Sequence, residues 1–360
     1  FVSQLQSGWG KNINENILKD FINIYIKYMT DDKEVNQIIL TVKELFKKNA
    51  GNRTELSQLI DKYLIPQELE KKTNAEVSTP YKLRQDMLNK IPKDFWTDIR
   101  KVFEPCVGKG GFLIDILDKF MTGLKDKILD EDTRYKTIVE QCLYWSDINP
   151  TNTFICKLLL DPDNKYKLNY NEGDTLKLDI QDKFGFNKFD AVIGNPPYQD
   201  TSGNKGKGHA LWVKFVESSI QNWIKQDGYL VYVHPSLWRQ IDNSLFKLLK
   251  SKNLIYLEIH NTNDGRKTFN CSTRYDWYIL QNNKYSNSTI IKDETGIITN
   301  LNLSEWSFIP NMMFDDIKKL IDDNDDGNKL LVYNHRSDYG ADKKWISKIK
   351  NDEYKYPVIY

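Results

Sequence analysis

The chain has 360 residues, of which 40% are hydrophobic and 28% charged, and its formal net charge is +1. That size allows one large domain with a smaller one, and the composition is that of an ordinary globular chain. The near-zero balance excludes a global basic field for a polyanion, and no apolar run reaches the roughly 18 residues of a membrane span.

Residues 1–75 read as an N-terminal helical region. In "NENILKDFINIYIKYM", Ile17, Phe21, Ile24 and Tyr28 share one face. "EVNQIILTVKELFKKNAG" repeats the pattern through Ile38, Val42, Leu45 and Phe46 and stops at Gly51. A third helix in "TELSQLIDKYL" takes Thr54 as its N-cap. The style changes at "VSTPYKLRQDML", where Thr79 caps a new helix, Pro80 takes its first position, and Leu83, Met87 and Leu88 form its buried face.

From there short apolar runs alternate with amphipathic helical stretches such as "GGFLIDILDKFM" and "ALWVKFVESSIQNWI". The runs are "KVFE", "CLYWSD", "YKLNYNEGD", "FDAVIGN", "GYLVYVHP", "LIYLEIHN" and "YDWYILQ". Such alternation predicts a doubly wound α/β sheet. Only a loop, "NTNDGRKTFNCSTR", separates the last two strands, so they are expected to close the sheet as an antiparallel hairpin. After residue 283 the pattern weakens into polar, turn-rich sequence, read as the start of a further region. The four cysteines, Cys106, Cys142, Cys156 and Cys271, form no Cys-x-x-Cys pair, and His is scarce. No metal site is expected, and a reducing compartment is.

Four successive strands end in polar groups. The first runs into the glycine turn around Gly108 and Gly110, which lets a ligand approach the backbone and leads to a helix N-terminus. In isolation that signal is equally a tight turn. The second strand ends in Asp147, the third in Asp174, and the fourth in Asn195-Pro196-Pro197-Tyr198. Either aspartate alone reads best as a helix cap; all four ends in order read as one pocket, because open α/β sheets bind ligands at the carboxyl ends of their strands. Glu104, just before the glycine turn, suits an ammonium and offers a pyrophosphate nothing. It favours S-adenosylmethionine over a nicotinamide dinucleotide, as does the absence of a third glycine in register.

Together "STPYKLRQDML", "FEPCVGKGGFL", "WSDINP", "NEGDTL" and "IGNPPY" resemble the ordered motifs of gamma-class DNA N6-adenine methyltransferases of restriction–modification type, over residues 76–282. The resemblance implies a Rossmann-like methyltransferase fold with a seven-stranded, mostly parallel sheet containing one antiparallel strand. It implies that Thr79, Glu104, Cys106, Gly108, Gly110, Asp147, Ile148 and Asp174 hold S-adenosylmethionine, and that Asn195, Pro196, Pro197 and Tyr198 hold and activate the target base. Two departures stand out: Lys109 occupies a position where the family has a small residue, and residues 125–140 read as an insertion.

The implied reaction is methyl transfer to N6 of an adenine flipped out of double-stranded DNA, in a soluble cytoplasmic setting (host nucleoid, or viral factory for a viral chain), with a cognate restriction endonuclease as partner and no membrane. A glutamine amide of a protein, or adenine in RNA, is the alternative substrate. Phe269 is expected to stack on the base opposite Tyr198, with Trp238 as its competitor. The loop carrying Lys205, Lys207 and His209 is expected to clamp phosphates. The expected domains are 1–75, a packing or DNA-facing accessory; 76–283, the methyltransferase domain; and 284–360, the start of a target-recognition or accessory region.

Overall fold

The computed structural model describes residues 52–63, 77–161, 164–199, 210–241, 243–320 and 349–352. The first two expected helices, the Lys205–His209 loop and the terminal "KYPVIY" lie outside them. The chain divides into two units, Phe1–Met312 and Met313–Tyr360.

The first unit is built on a nine-stranded sheet of order β3-β2-β1-β4-β5-β7-β6-β8-β9. Its first seven strands are Val102–Glu104 (β1), Leu143–Asp147 (β2), Asn169–Glu172 (β3), Phe189–Gly194 (β4), Ile224–Pro235 (β5), Lys252–His260 (β6) and Tyr275–Lys284 (β7). These are the seven runs read from the sequence. β1 and β4 are buried on both faces, as central parallel strands must be. β7 runs antiparallel between β5 and β6, so the Rossmann-like methyltransferase arrangement holds.

The sheet does not stop at residue 283. Thr289–Lys292 (β8) pairs parallel with β6, and Ile298–Leu301 (β9) pairs antiparallel with β8. The expected count of seven is therefore corrected to nine, with a second antiparallel strand. β8 buries Thr289 and Ile291 and turns Ile290 outward. Four residues carry too little of a period-two pattern to be seen within a polar stretch.

The helices are Arg53–Tyr63 (α1), Tyr81–Asn89 (α2), Gly111–Gly123 (α3), Glu131–Gln141 (α4), Pro150–Leu160 (α5), Ile180–Phe184 (α6), Leu211–Ser218 (α7), Ser244–Lys250 (α8) and Thr262–Phe269 (α9). α1 is capped two residues earlier than expected, because Asn52 Oδ1, and not Thr54, accepts from the Glu55 amide at 3.1 Å. Its Leu56 and Ile60 belong to the same core as the sheet. The anticipated insertion contains α4. The hairpin loop between β6 and β7 contains α9, started by a capping box in which Asn261 and Asp264 satisfy each other's amides.

α2 begins without the expected Thr79 cap. The amide of Tyr81 donates instead to Asp61 of α1. Arg84, buried on α2, holds the entry in place: Nε bonds Asp115 Oδ2 of α3 at 2.6 Å, Nη1 bonds Asp61 Oδ1 at 2.6 Å, and Nη2 bonds Ser57 Oγ at 2.7 Å. Gly111 has no room for a side chain there, since a Cβ would lie 2.7 Å from the guanidinium. The second unit contributes Phe314–Lys318 (α10) among its described residues. Among the described residues no helix is long and apolar enough to cross a membrane.

Candidate active site

A cavity of about 480 Å³ opens at the carboxyl ends of β1, β2 and β4, where strand order reverses between β1 and its two neighbours. Its wall includes Thr79, Glu104, Cys106, Gly108, Asp147, Ile148, Asp174, Asn195, Pro196, Pro197 and Tyr198. Residues separated by more than a hundred positions thus converge as the strand-end argument requires.

The glycine turn follows from backbone necessity. Gly108 and Gly110 have φ of 51° and 85°, the left-handed region that a side chain disfavours. The Gly108 amide donates to Asp147 Oδ2 at 2.9 Å, and Asn149 N donates to Oδ1 at 2.8 Å. Asp147 is thereby oriented before any ligand arrives. Gly110 is not on the wall: it caps α3, where a Cβ would lie 3.1 Å from Cys156 Sγ and 3.3 Å from Leu159 Cδ1. Asp174 is both cap and wall. It accepts from the Leu176 amide at 3.1 Å, pairs with Lys177 at 3.2 Å, and still faces the cavity.

Lys109 departs from the small residue of the resembled motif, and the structure accommodates it. Its ammonium folds back to Asn152 Oδ1 on α5 at 2.8 Å, tying the turn after β1 to the helix after β2. Lys109 and Asn152 both line the cavity. A second tie runs through Thr175, whose hydroxyl reaches Pro105 O and Ser146 Oγ, each at 2.7 Å.

Among the described residues, three wall atoms are buried without a hydrogen bond. The first is Glu104 Oε2. Burial pushes the Glu104 carboxyl well above the usual carboxylate range; Arg84 opposes this, and Asp115 and Asp147 add to it. An acid so placed awaits a cationic partner, and the ammonium of an amino-acid moiety fits. The donor set therefore suits S-adenosylmethionine: an open acid beside the glycine turn and a fixed acid after β2. The second atom is Asn195 Oδ1. Its amide nitrogen donates to Val77 O at 3.1 Å, which turns the carbonyl away from that contact. The two prolines behind it keep the tip rigid. The third is the Tyr198 hydroxyl, whose pKa burial raises and the adjacent Asn195 side chain lowers.

Phe269 is not on the cavity wall. It ends α9 in the core, edge-to-face with Tyr275 at 4.9 Å. The loop reading failed because a capped helix carries Phe269 inward. Trp238 is fully buried and donates its indole N–H to Asp276. The apolar wall on the α7 side is Leu211 and Phe215 instead, with Lys214 beside them. Their position was unreadable because α7 follows the tip only after a long loop. Lys205 and Lys207 lie outside the described residues. Ile60 and Asp61 of α1 were also missed as wall residues.

Comparison with known proteins agrees with this picture. Residues 129–269 match the family described as Eco57I restriction-modification methylase. A Mycoplasma pneumoniae protein described as an uncharacterized adenine-specific methylase is 22% identical, covering 78% of this chain and 85% of its own. A solved chain of a type I restriction–modification system has a TM-score of 0.54 at 14% identity, covering 81% of this chain and 60% of that one. The methyltransferase subunit of such a system from Streptococcus thermophilus has a TM-score of 0.48 at 17% identity, over 85% of this chain and 65% of its own. This chain spans less than two thirds of either, and the first likeness is one of fold. The resemblance read from the motifs is thus borne out: the sheet is a methyltransferase fold, and residues 129–269 carry the match to Eco57I-type restriction-modification methylases.

Proposed function

We propose that this chain transfers a methyl group from S-adenosylmethionine to N6 of an adenine flipped out of duplex DNA, as the site-specific modification enzyme of a restriction–modification system. The observation that carries the reading is Asn195 Oδ1, a rigidly held and unsatisfied acceptor on the wall of the cavity that also holds the unsatisfied Glu104.

The N6 lone pair of adenine is delocalised into the ring, so the nitrogen is a poor nucleophile. Asn195 Oδ1 and the Pro196 carbonyl accept its two hydrogens, draw the nitrogen towards tetrahedral geometry and localise the lone pair. Both acceptors are preorganised, so they stabilise developing positive charge without rearrangement. Tyr198 offers a ring face to the base. Glu104 and Asp147 hold the cofactor's ammonium and ribose hydroxyls, and Thr79, Cys106, Gly108, Ile148 and Asp174 complete its surroundings. The cofactor supplies an already activated sulfonium methyl, so the protein's remaining task is in-line positioning. A base in duplex DNA reaches the cavity only by leaving the stack.

Target recognition belongs to the unit from Met313 onward, since the sheet itself runs to Leu301. The working environment is the cytoplasm, and the partners are DNA and a cognate restriction endonuclease. The test is sequencing of DNA from cells expressing the chain, read for modified adenine. Modified adenine at one recurrent site supports the proposal. Unmodified DNA together with labelled methyl transferred to protein or RNA contradicts it.

A further inference from the structure

An asparagine side chain carries an oxygen and an NH2 group at the two ends of one planar amide, and only the oxygen can accept hydrogens. With the ends exchanged, the NH2 group would meet the amino group of a base, donor against donor. Asn195 can serve as the acceptor only if something fixes which end faces the cavity. Its Nδ2 donates to the backbone carbonyl of Val77 at 3.1 Å, across 118 positions of chain. A carbonyl only accepts, so the exchanged amide would set oxygen against oxygen there. One bond thus aims Oδ1, the end that has no partner, and Val77 and Asn195 both line the cavity.

The Val77 carbonyl belongs to the irregular segment 77–80 that leads into α2, and its place is set from the other end. Pro80 has φ of −61° and ψ of 148°, and the residue before a proline is confined to extended conformations. The segment is therefore stiff, and a shift at Thr79 is passed on to Val77. Its anchor is Arg84, buried on α2, whose Nη1 donates to the Thr79 carbonyl and to Asp61 Oδ1, the latter at 2.6 Å. Nε goes to Asp115 Oδ2 at 2.6 Å, and Nη2 to Ser57 Oγ at 2.7 Å and to the Ser57 carbonyl at 3.4 Å. Asp61 also accepts from the Tyr81 amide. Every N–H of the guanidinium is engaged, so none is left for a ligand although Arg84 lines the cavity.

Resting on the reading of Asn195 as the acceptor for an adenine amino group, we infer that Arg84 is a positioning residue for methyl transfer: through the Thr79 and Val77 carbonyls it holds the Asn195 amide with Oδ1 towards the base. The guanidinium ties α1, α2 and α3 together, and the segment it anchors ends on the rigid tip after β4. Loosening Arg84 lets the Val77 carbonyl drift, the amide loses its bias, and a fraction of the molecules present NH2 to the base. The loss travels through Asn195 and vanishes where Asn195 is absent.

The test uses Arg84→Lys in the full chain, which keeps the charge but replaces a planar fork by one ammonium that cannot reach all the partners at once. Single-turnover methylation of a duplex carrying the site found by sequencing is measured at saturating S-adenosylmethionine, with Asn195 intact and in the Asn195→Ala background. The inference predicts a loss of about 10-fold with Asn195 present and at most about twofold without it, because members of one network are coupled. A second readout needs no ligand. In the chain isotopically labelled at asparagine nitrogen, the Asn195 side-chain amide, identified by its disappearance in Asn195→Ala, should exchange its hydrogens with solvent about tenfold faster in Arg84→Lys. Equal losses in both backgrounds overturn the inference and make Arg84 a structural element only. No loss in either, or unchanged amide exchange, overturns it too. If Arg84→Lys fails to fold, Asp61→Asn is held to the same ratios, since it loosens Nη1 and the Tyr81 amide while leaving Arg84 paired with Asp115. A wild-type chain that leaves adenine in DNA unmethylated contradicts the methyltransferase reading itself, and amide exchange then still decides whether Arg84 holds Asn195.

Discussion

Two buried carboxylates on one sheet show how its two halves differ. Asp276 on β7 gives Oδ2 to Trp238 at 2.9 Å and to the guanidinium of Arg239 at 2.7 Å, although its Oδ1 is buried without a hydrogen bond. Glu104 at the end of β1 presents Oε2 to nothing. Burial raises both acids, but in Asp276 the adjacent guanidinium opposes it directly, whereas the cation that opposes it for Glu104, Arg84, is already engaged by Asp115 and Asp61. Two amides repeat the contrast. Asn152 Oδ1 receives the Lys109 ammonium at 2.8 Å, while Asn195 Oδ1 receives none. Buried polar groups are ordinarily satisfied because leaving one open costs about 1–3 kcal/mol. The paired groups hold the fold. Open atoms also occur away from the cavity, Asp276 Oδ1 among them; Glu104 Oε2 and Asn195 Oδ1 belong to residues of the cavity wall, where a ligand can complete the bonding.

Breaking the paired side should cost most in stability. Arg239→Met leaves Asp276 buried and uncompensated, so urea unfolding should show a loss of about 3–5 kcal/mol. A loss below about 1 kcal/mol would mean that the β7 side is held by packing alone. On the open side, Asn195→Ala should cost about 10²- to 10³-fold in single-turnover methyl transfer, with cofactor affinity nearly unchanged. Equal weakening of cofactor binding would mean that the tip supports the cofactor pocket rather than the base.

Glu104→Gln sharpens the contrast, because it should weaken binding and strengthen the fold. Affinity for S-adenosylhomocysteine should fall about 10- to 100-fold, the worth of a hydrogen bond to a charged group. The folded-state pKa of Glu104 lies above its ordinary value of 4.5. Its stabilising contribution is therefore complete below that value and is lost as pH rises through the folded one. Glutamine stays neutral, so the ligand-free variant should melt above the wild type at neutral pH and converge with it towards acid pH. Wild-type affinity should rise with pH as the acid ionises, and the variant's should stay flat. The smallest effect is expected at Tyr198. Stacking needs the ring and not the hydroxyl, so Tyr198→Phe should be mild, while Tyr198→Ala should weaken capture of a fluorescent base analogue by about 1–3 kcal/mol.

The open side was also the more legible in sequence. Strand-end placement brought Glu104, Asp147, Asp174 and Asn195 together, because parallel strands all direct their carboxyl ends to one edge. Six of the seven expected strands were visible as apolar runs, while β3, the polar edge strand Asn169–Glu172, was readable only from the alternation around it. β8 and β9 were not, because Thr289–Lys292 and Ile298–Leu301 are short, half-exposed strands inside polar sequence. Phe269 was misassigned since the Asn261 capping box turns a supposed loop into a helix. The Arg84 and Arg239 struts were invisible for another reason: a buried arginine looks like a surface one until its partners, up to 72 positions away, are known.

The central claim is that the unsatisfied wall atoms await the cofactor and the target base. It is tested most directly by a crystal structure of the chain with S-adenosylhomocysteine and a duplex carrying its site. The account predicts the cofactor's amino group at hydrogen-bond distance, about 3 Å, from Glu104 Oε2, and the adenine N6 equally close to Asn195 Oδ1. A complex in which a protein side chain fills the Glu104 position, or in which Asn195 Oδ1 stays unpaired while the base binds elsewhere, would contradict it.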